Sequence, residues 1–122
     1  MIAVILASGA PDRLYTGLSL LVSVAAEGER AHGLATFGAL GALLARDLPA
    51  PGPEIAEAAV FARTLAELRD TAAALPECRL WACAAAVETT GADPEAVAAR
   101  FDGVRSTPRF LREVGDARLV VV

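Results

Sequence analysis

The chain has 122 residues, 55% of them hydrophobic and 21% charged. That is the size of one domain with one core, and it excludes both an intrinsically disordered chain and two independent domains. Eleven basic against fifteen acidic residues give a net charge of −4, which disfavours partners held by bulk electrostatics, nucleic acid and anionic membranes among them.

Ile2 to Ala7 opens the chain as a continuous, partly β-branched apolar run without alternation, the pattern of a parallel strand covered on both faces. It lacks the charged n-region and small-residue cleavage site of a signal peptide, so export is not expected. After the Ser8 to Asp12 loop, Pro11 pre-sets the first turn of a helix and Asp12 places a carboxylate near its positive end. The helix is expected to run to about Glu27, with Gly28 ending it. Its apolar stretch, Leu14 to Ala26, is short of the roughly 18–20 residues that cross a bilayer, so no membrane insertion is expected. Apolar residues lie nearly all round this helix, which predicts a homo-oligomer that buries part of it.

Ala31 to Phe37 reads as a weaker strand, Gly38 to Arg46 as a short helix, and Pro49 to Pro53 as a stiff connection. Glu54 to Leu75 is the longest helical stretch, with Ile55, Ala58, Ala59, Ala62, Leu65, Ala66 and Ala72 on one stripe. Cys78 to Ala82 follows as a third strand, with Cys83 at its junction with a helix. A short helix near Pro94 to Arg100 and a strand at Gly103 to Arg105 come next. Then follow a helix capped by Ser106 or Thr107, with Pro108 at its first position, and a last strand, Arg118 to Val122.

Strands alternating with helices over residues 1–122 predict a single α/β domain: a three-layer α/β/α sandwich on a five-stranded, mainly parallel sheet, flavodoxin-like. The default strand order for such a sheet, 2-1-3-4-5, puts a crevice at the carboxyl ends of strands one and three. Cys83 and the Ser8 to Asp12 loop would then face each other across it.

Chemistry centres on Cys83. A thiol where a strand leads into a helix meets the partial positive charge of the helix end, which favours the thiolate and is expected to hold its pKa below the roughly 8.5 of free cysteine. Cys78, at the opposite end of the same strand, is read as structural. Two cysteines are too few for a disulfide scaffold or a zinc site, and reduced thiols in the cytoplasm fit them best. Arg105 at a strand end and Arg109 in the next helix's first turn are expected on the same sheet edge as Cys83. With Thr107, and with Ser8, Gly9 and Asp12 across the crevice, they make a candidate anion or substrate site. The single histidine, His32, begins its strand on the wrong edge for a Cys–His pair and is expected at the surface. The loop after the first strand carries neither GxGxxG nor a P-loop, and no cofactor or metal is expected.

Three stretches, IAVILASGAPDRLYTGLSLLVSVAAEG from Ile2, CRLWACAAAVETTG from Cys78 and DGVRSTPRFLREVGDARLVVV from Asp102, resemble the DsrE/DsrF-like family of small sulfur-relay α/β proteins. The middle stretch is the most specific. The resemblance implies a flavodoxin-like sheet assembled into trimers or hexamers, and a cysteine after the third strand, here Cys83, as the position that carries sulfur as a persulfide in some members. It also implies sulfur-relay donor and acceptor proteins as partners. Two functions of different class follow: a cysteine-based sulfur carrier or sulfurtransferase, and an oligomeric module that binds a small anion or partner without covalent chemistry. A thiol peroxidase is a third, but Cys78 is too far from Cys83 to resolve its oxidised form.

Overall fold

The computed structural model describes every residue from Met1 to Val122. Its strands are β1 (Ile2–Leu6), β2 (Ala31–Ala35), β3 (Cys78–Cys83), β4 (Gly103–Arg105) and β5 (Arg118–Val121). They alternate with six helices: α1 (Pro11–Ala26), α2 (Phe37–Leu44), α3 (Ala58–Ala74), α4 (Ala84–Thr90), α5 (Pro94–Arg100) and α6 (Thr107–Val114). Every neighbouring pair of strands is parallel, and the whole is a three-layer α/β/α, flavodoxin-like fold.

The strand order is β4-β3-β2-β1-β5, which corrects the expected 2-1-3-4-5. β2 sits in the middle of the sheet, between β1 and β3, and not at an edge. Its small residues are what the middle requires. A Cβ added to Gly33 would lie 2.8 Å from Leu80 Cδ1 and 2.9 Å from Leu21 Cδ1, so the space above β2 is already filled by leucines from α1 and β3.

The order also decides the layers. From β1 to β4 each step across the sheet goes the same way, and right-handed crossovers then put α1, α3 and α5 on one face. The rings of Tyr15 on α1 and Phe61 on α3 lie 5.6 Å apart there. The return from β4 to β5 crosses the opposite face, which receives α6. Register places Val4, Gly33 and Leu80 on the crowded face, and Ile5, Leu34, Trp81 and Val121 on the face of α6.

Leu14, Leu18 and Leu21 of α1 are fully buried within the chain, each stabilising the fold by about 1.5–3 kcal/mol. Much of the helix's apolar surface is thus covered by its own sheet, leaving Leu20 and Val24 half-buried along one side. α3 begins at Ala58, four residues later than expected, because Pro51-Gly52-Pro53 is followed by a turn in which Ile55 N–H donates to the Gly52 carbonyl at 3.1 Å. Its inward stripe is Phe61, Leu65, Leu68 and Ala72, while Ala58, Ala59 and Ala62 face outward. Alanine favours a helix but buries too little area to choose its face, so the larger side chains orient it. Ser106 caps α6, its Oγ accepting from Arg109 N–H at 3.3 Å, and Pro108 takes the second helical position.

Candidate functional site

β3 runs one residue further than expected and ends in Cys83, which is also the N-cap residue of α4. The strand end carries the thiol to the carboxyl edge of the sheet, in register with Arg105 on β4. Cys83 is only 4% exposed. Ala84, Ala85 and Ala86 follow it and bring no side-chain donor.

Arg105 is engaged elsewhere. Its guanidinium carbon lies 3.8 Å from the centroid of the Trp81 ring, and its Nε is 3.1 Å from Glu113 Oε2. Arg109 Nε meets the other oxygen of the same carboxylate at 2.8 Å. The two arginines that the sequence offers as an anion site thus hold an anion already, supplied by their own chain. The hydrogen bond from Arg109 keeps the Glu113 carboxyl below its ordinary range; desolvation opposes it, and the hydrogen bond and charge of Arg105 add to the lowering. Glu113 is the group that sequence reasoning missed. Its signal was the i,i+4 spacing from Arg109. Thr107, the first residue of α6, is exposed beside this cluster.

Ser8, Gly9 and Asp12 do not face Cys83, because β2 stands between β1 and β3. The predicted site is therefore two groups at one sheet edge, with Thr36 between them; Thr36 N–H donates to the Leu6 carbonyl at 3.0 Å. The Ser8 loop is closed on itself and on α2. Ser8 Oγ accepts from Ala10 N–H at 3.1 Å, and a Cβ on Gly9 would lie 2.5 Å from the Gly38 carbonyl oxygen. Asp12 is exposed in the first turn of α1.

His32 is not the surface histidine expected. It stands partly buried on β2, its ring 6.2 Å from that of Trp81 in an edge-on arrangement, and neither His32 Nδ1 nor Trp81 Nε1 has a hydrogen-bond partner. Burial, and then the nearby charges of Arg30 and Arg79, push its pKa down. In register with Ala3 and Arg79, it is near the amino edge of the sheet, away from Cys83.

Cys78 is buried at the start of β3. Burial, with the Asp102 carboxylate adding to it, pushes the thiol up to about 11. Five residues of strand separate the two sulfurs' positions, about 16 Å, far beyond disulfide reach. A cavity of about 270 Å³ lies elsewhere, between α3 and α5 over Leu80, lined by Arg69, Arg100, Phe101 and Asp102 among others. It touches none of the residues singled out from the sequence.

No family model and no curated protein matches this chain. No group of three or more His, Cys, Asp or Glu side chains is placed to hold a metal ion, and no helix is long and apolar enough to cross a membrane.

Proposed function

We propose that the protein is a cysteine-based sulfur carrier of the DsrE/DsrF-like type, with Cys83 as the residue that holds sulfur. The observation that carries this reading is the position of Cys83 at the carboxyl end of β3, where strand passes into helix. A rigid strand end mounts the sulfur at the edge where parallel α/β sheets place their chemistry. The other thiol is held protonated by burial. In the carrier step the Cys83 thiolate attacks the outer, sulfane sulfur of a donor persulfide, R–S–SH. The new S–S bond forms as the donor's own S–S bond breaks. The donor leaves as a thiolate, Cys83 becomes Cys83–S–SH, and the exchange involves no net oxidation. Donor and acceptor proteins of a relay, in a reducing, cytoplasmic setting, go with this reading.

Mass spectrometry after exposure to glutathione persulfide tests it. The expected product is heavier by about 32 Da, one sulfur atom, with the addition mapped to Cys83 and lost in Cys83→Ser. An adduct on Cys78, or none on the folded protein, overturns the carrier reading. The 4% exposure of Cys83 favours a second reading, a non-covalent binding module of the same fold. That reading stands if Cys83 takes up sulfur only after denaturation.

A further inference from the structure

We infer that two copies of this chain join through β5, antiparallel about a twofold axis at Val120, into one ten-stranded sheet. This does not rest on the carrier reading. β5 is an open edge of the sheet. Val122 N–H donates to the Ile5 carbonyl at 2.9 Å, the Val122 carbonyl accepts from Ala7 N–H at 2.7 Å, and Arg118 N–H donates to the Met1 carbonyl at 3.3 Å. Residues 118, 120 and 122 thus turn their backbone groups to β1, and the alternation of a strand turns those of Leu119 and Val121 outward, unpaired. A twofold at Val120 sets Leu119 of one copy opposite Val121 of the other, so that each pair exchanges two N–H···O=C bonds.

The side chains agree with that register. Leu119 and Val121 are 48% and 61% exposed, and opposed residues of an antiparallel pair point to the same face. The twofold therefore merges two uncovered apolar rows into one. Beyond Arg118, β5 carries no proline, bulge or inward charge to blunt its edge. β4, the other edge, has only three residues, preceded by Asp102 and ending in Arg105. Once β5 is paired, only β4 edges remain, so the assembly closes at two copies.

Charge supplies the partner's identity as a second copy. Gly33 is in register with Val4, and Val4 with Val120, while Gly33 also stands against Leu21. The axis at Val120 is therefore level with Leu21, near the middle of α1. The space that a Cβ on Gly17 would need is taken by Leu6 and Val122, which turns the adjoining stripe of Arg13, Leu20, Val24 and Glu27 toward β5. Two antiparallel α1 helices, three strand spacings or about 14 Å apart, then set Arg13 of each copy toward Glu27 of the other. Both are exposed, and neither has an ion pair within its own chain.

Sedimentation and amide hydrogen exchange test the dimer. The expected mass is about 25 kDa, twice 12.5 kDa, with the Leu119 and Val121 amides protected in proportion to dimer. Leu119→Lys is expected to give the monomer with native circular dichroism, and Val60→Lys on α3 to leave the dimer intact. Arg13→Glu is expected to weaken the dimer about tenfold, and adding Glu27→Arg to restore it. A monomer at 100 µM overturns the proposal. So does a trimer, or any oligomer in which the Leu119 and Val121 amides exchange freely; exchange in the unaltered chain decides even if Leu119→Lys fails to fold.

Discussion

The two faces of the sheet are built on different principles. On one, α1, α3 and α5 press leucines and alanines onto Val4, Gly33 and Leu80, and polar groups reach it only at its margin, where Asp102 accepts from Leu80 N–H at 2.7 Å. On the other lies a single two-turn helix, α6, anchored by Phe110 and Val114, and the groups with chemistry collect there: Cys83, Trp81, His32, Arg105 and Glu113. The crowded face supplies stability. The thin face trades coverage for polar groups and an exposed apolar margin at β5, so function and assembly share the side that the core needs least.

Substitutions on each face separate these roles. Phe110→Ala is expected to cost about 3–5 kcal/mol in urea unfolding. Because it loosens α6, it should also shift the emission of Trp81, the only tryptophan, by freeing Arg105 from Glu113. Leu21→Ala, on the crowded face, is expected to cost about 2–5 kcal/mol with Trp81 emission unchanged. An equal spectral shift in both variants would erase the distinction between the faces. The thiols divide similarly along β3. Raising Cys78 from 9.0 to about 11 lowers its thiolate fraction at pH 8 about 100-fold, and alkylation followed by peptide mapping is expected to slow by that factor relative to an unperturbed thiol.

The smallest expected effect concerns His32. Its folded pKa lies below the unfolded value of 6.5, so the unfolded chain binds the proton more readily. The stabilisation is fully present above pH 6.5 and is lost as pH falls through the folded pKa. Unfolding free energies measured between pH 7.5 and 5 are expected to decline in the parent chain and to decline less in His32→Leu. Equal declines would show that the proton is taken up elsewhere.

Much of the fold was legible in the sequence because its signals are local. Pro11, Pro94 and Ser106 mark helix starts, and Ile2 to Ala7 and Arg118 to Val122 read as strands from their apolar runs, each one residue longer than the strand that forms. Strand order was not legible. Ala31-His32-Gly33-Leu34-Ala35 looks weak enough for an edge, yet its smallness is what admits leucines from β3 and α1 at the centre. The candidate site inherited that error: Cys83 and Arg105 share an edge as expected, but the Ser8 loop was assigned to a crevice that β2 fills. Glu113 was hidden for another reason. On a charged helix it reads as solvated surface, and only the fold brings Arg105 to it from β4.

β5 pairs with β1, the strand furthest from it in the sequence. While the chain is being synthesised, β1 emerges first and its outer edge has no partner until some 115 further residues have followed. Of the pairings in the sheet, this is the one with the largest loop to close, and it forms against the entropy of all the chain between β1 and β5. A chain that has formed β1 to β4 but not β5 would leave the outer edge of β1 bare, the kind of unpaired strand edge on which misassembly starts.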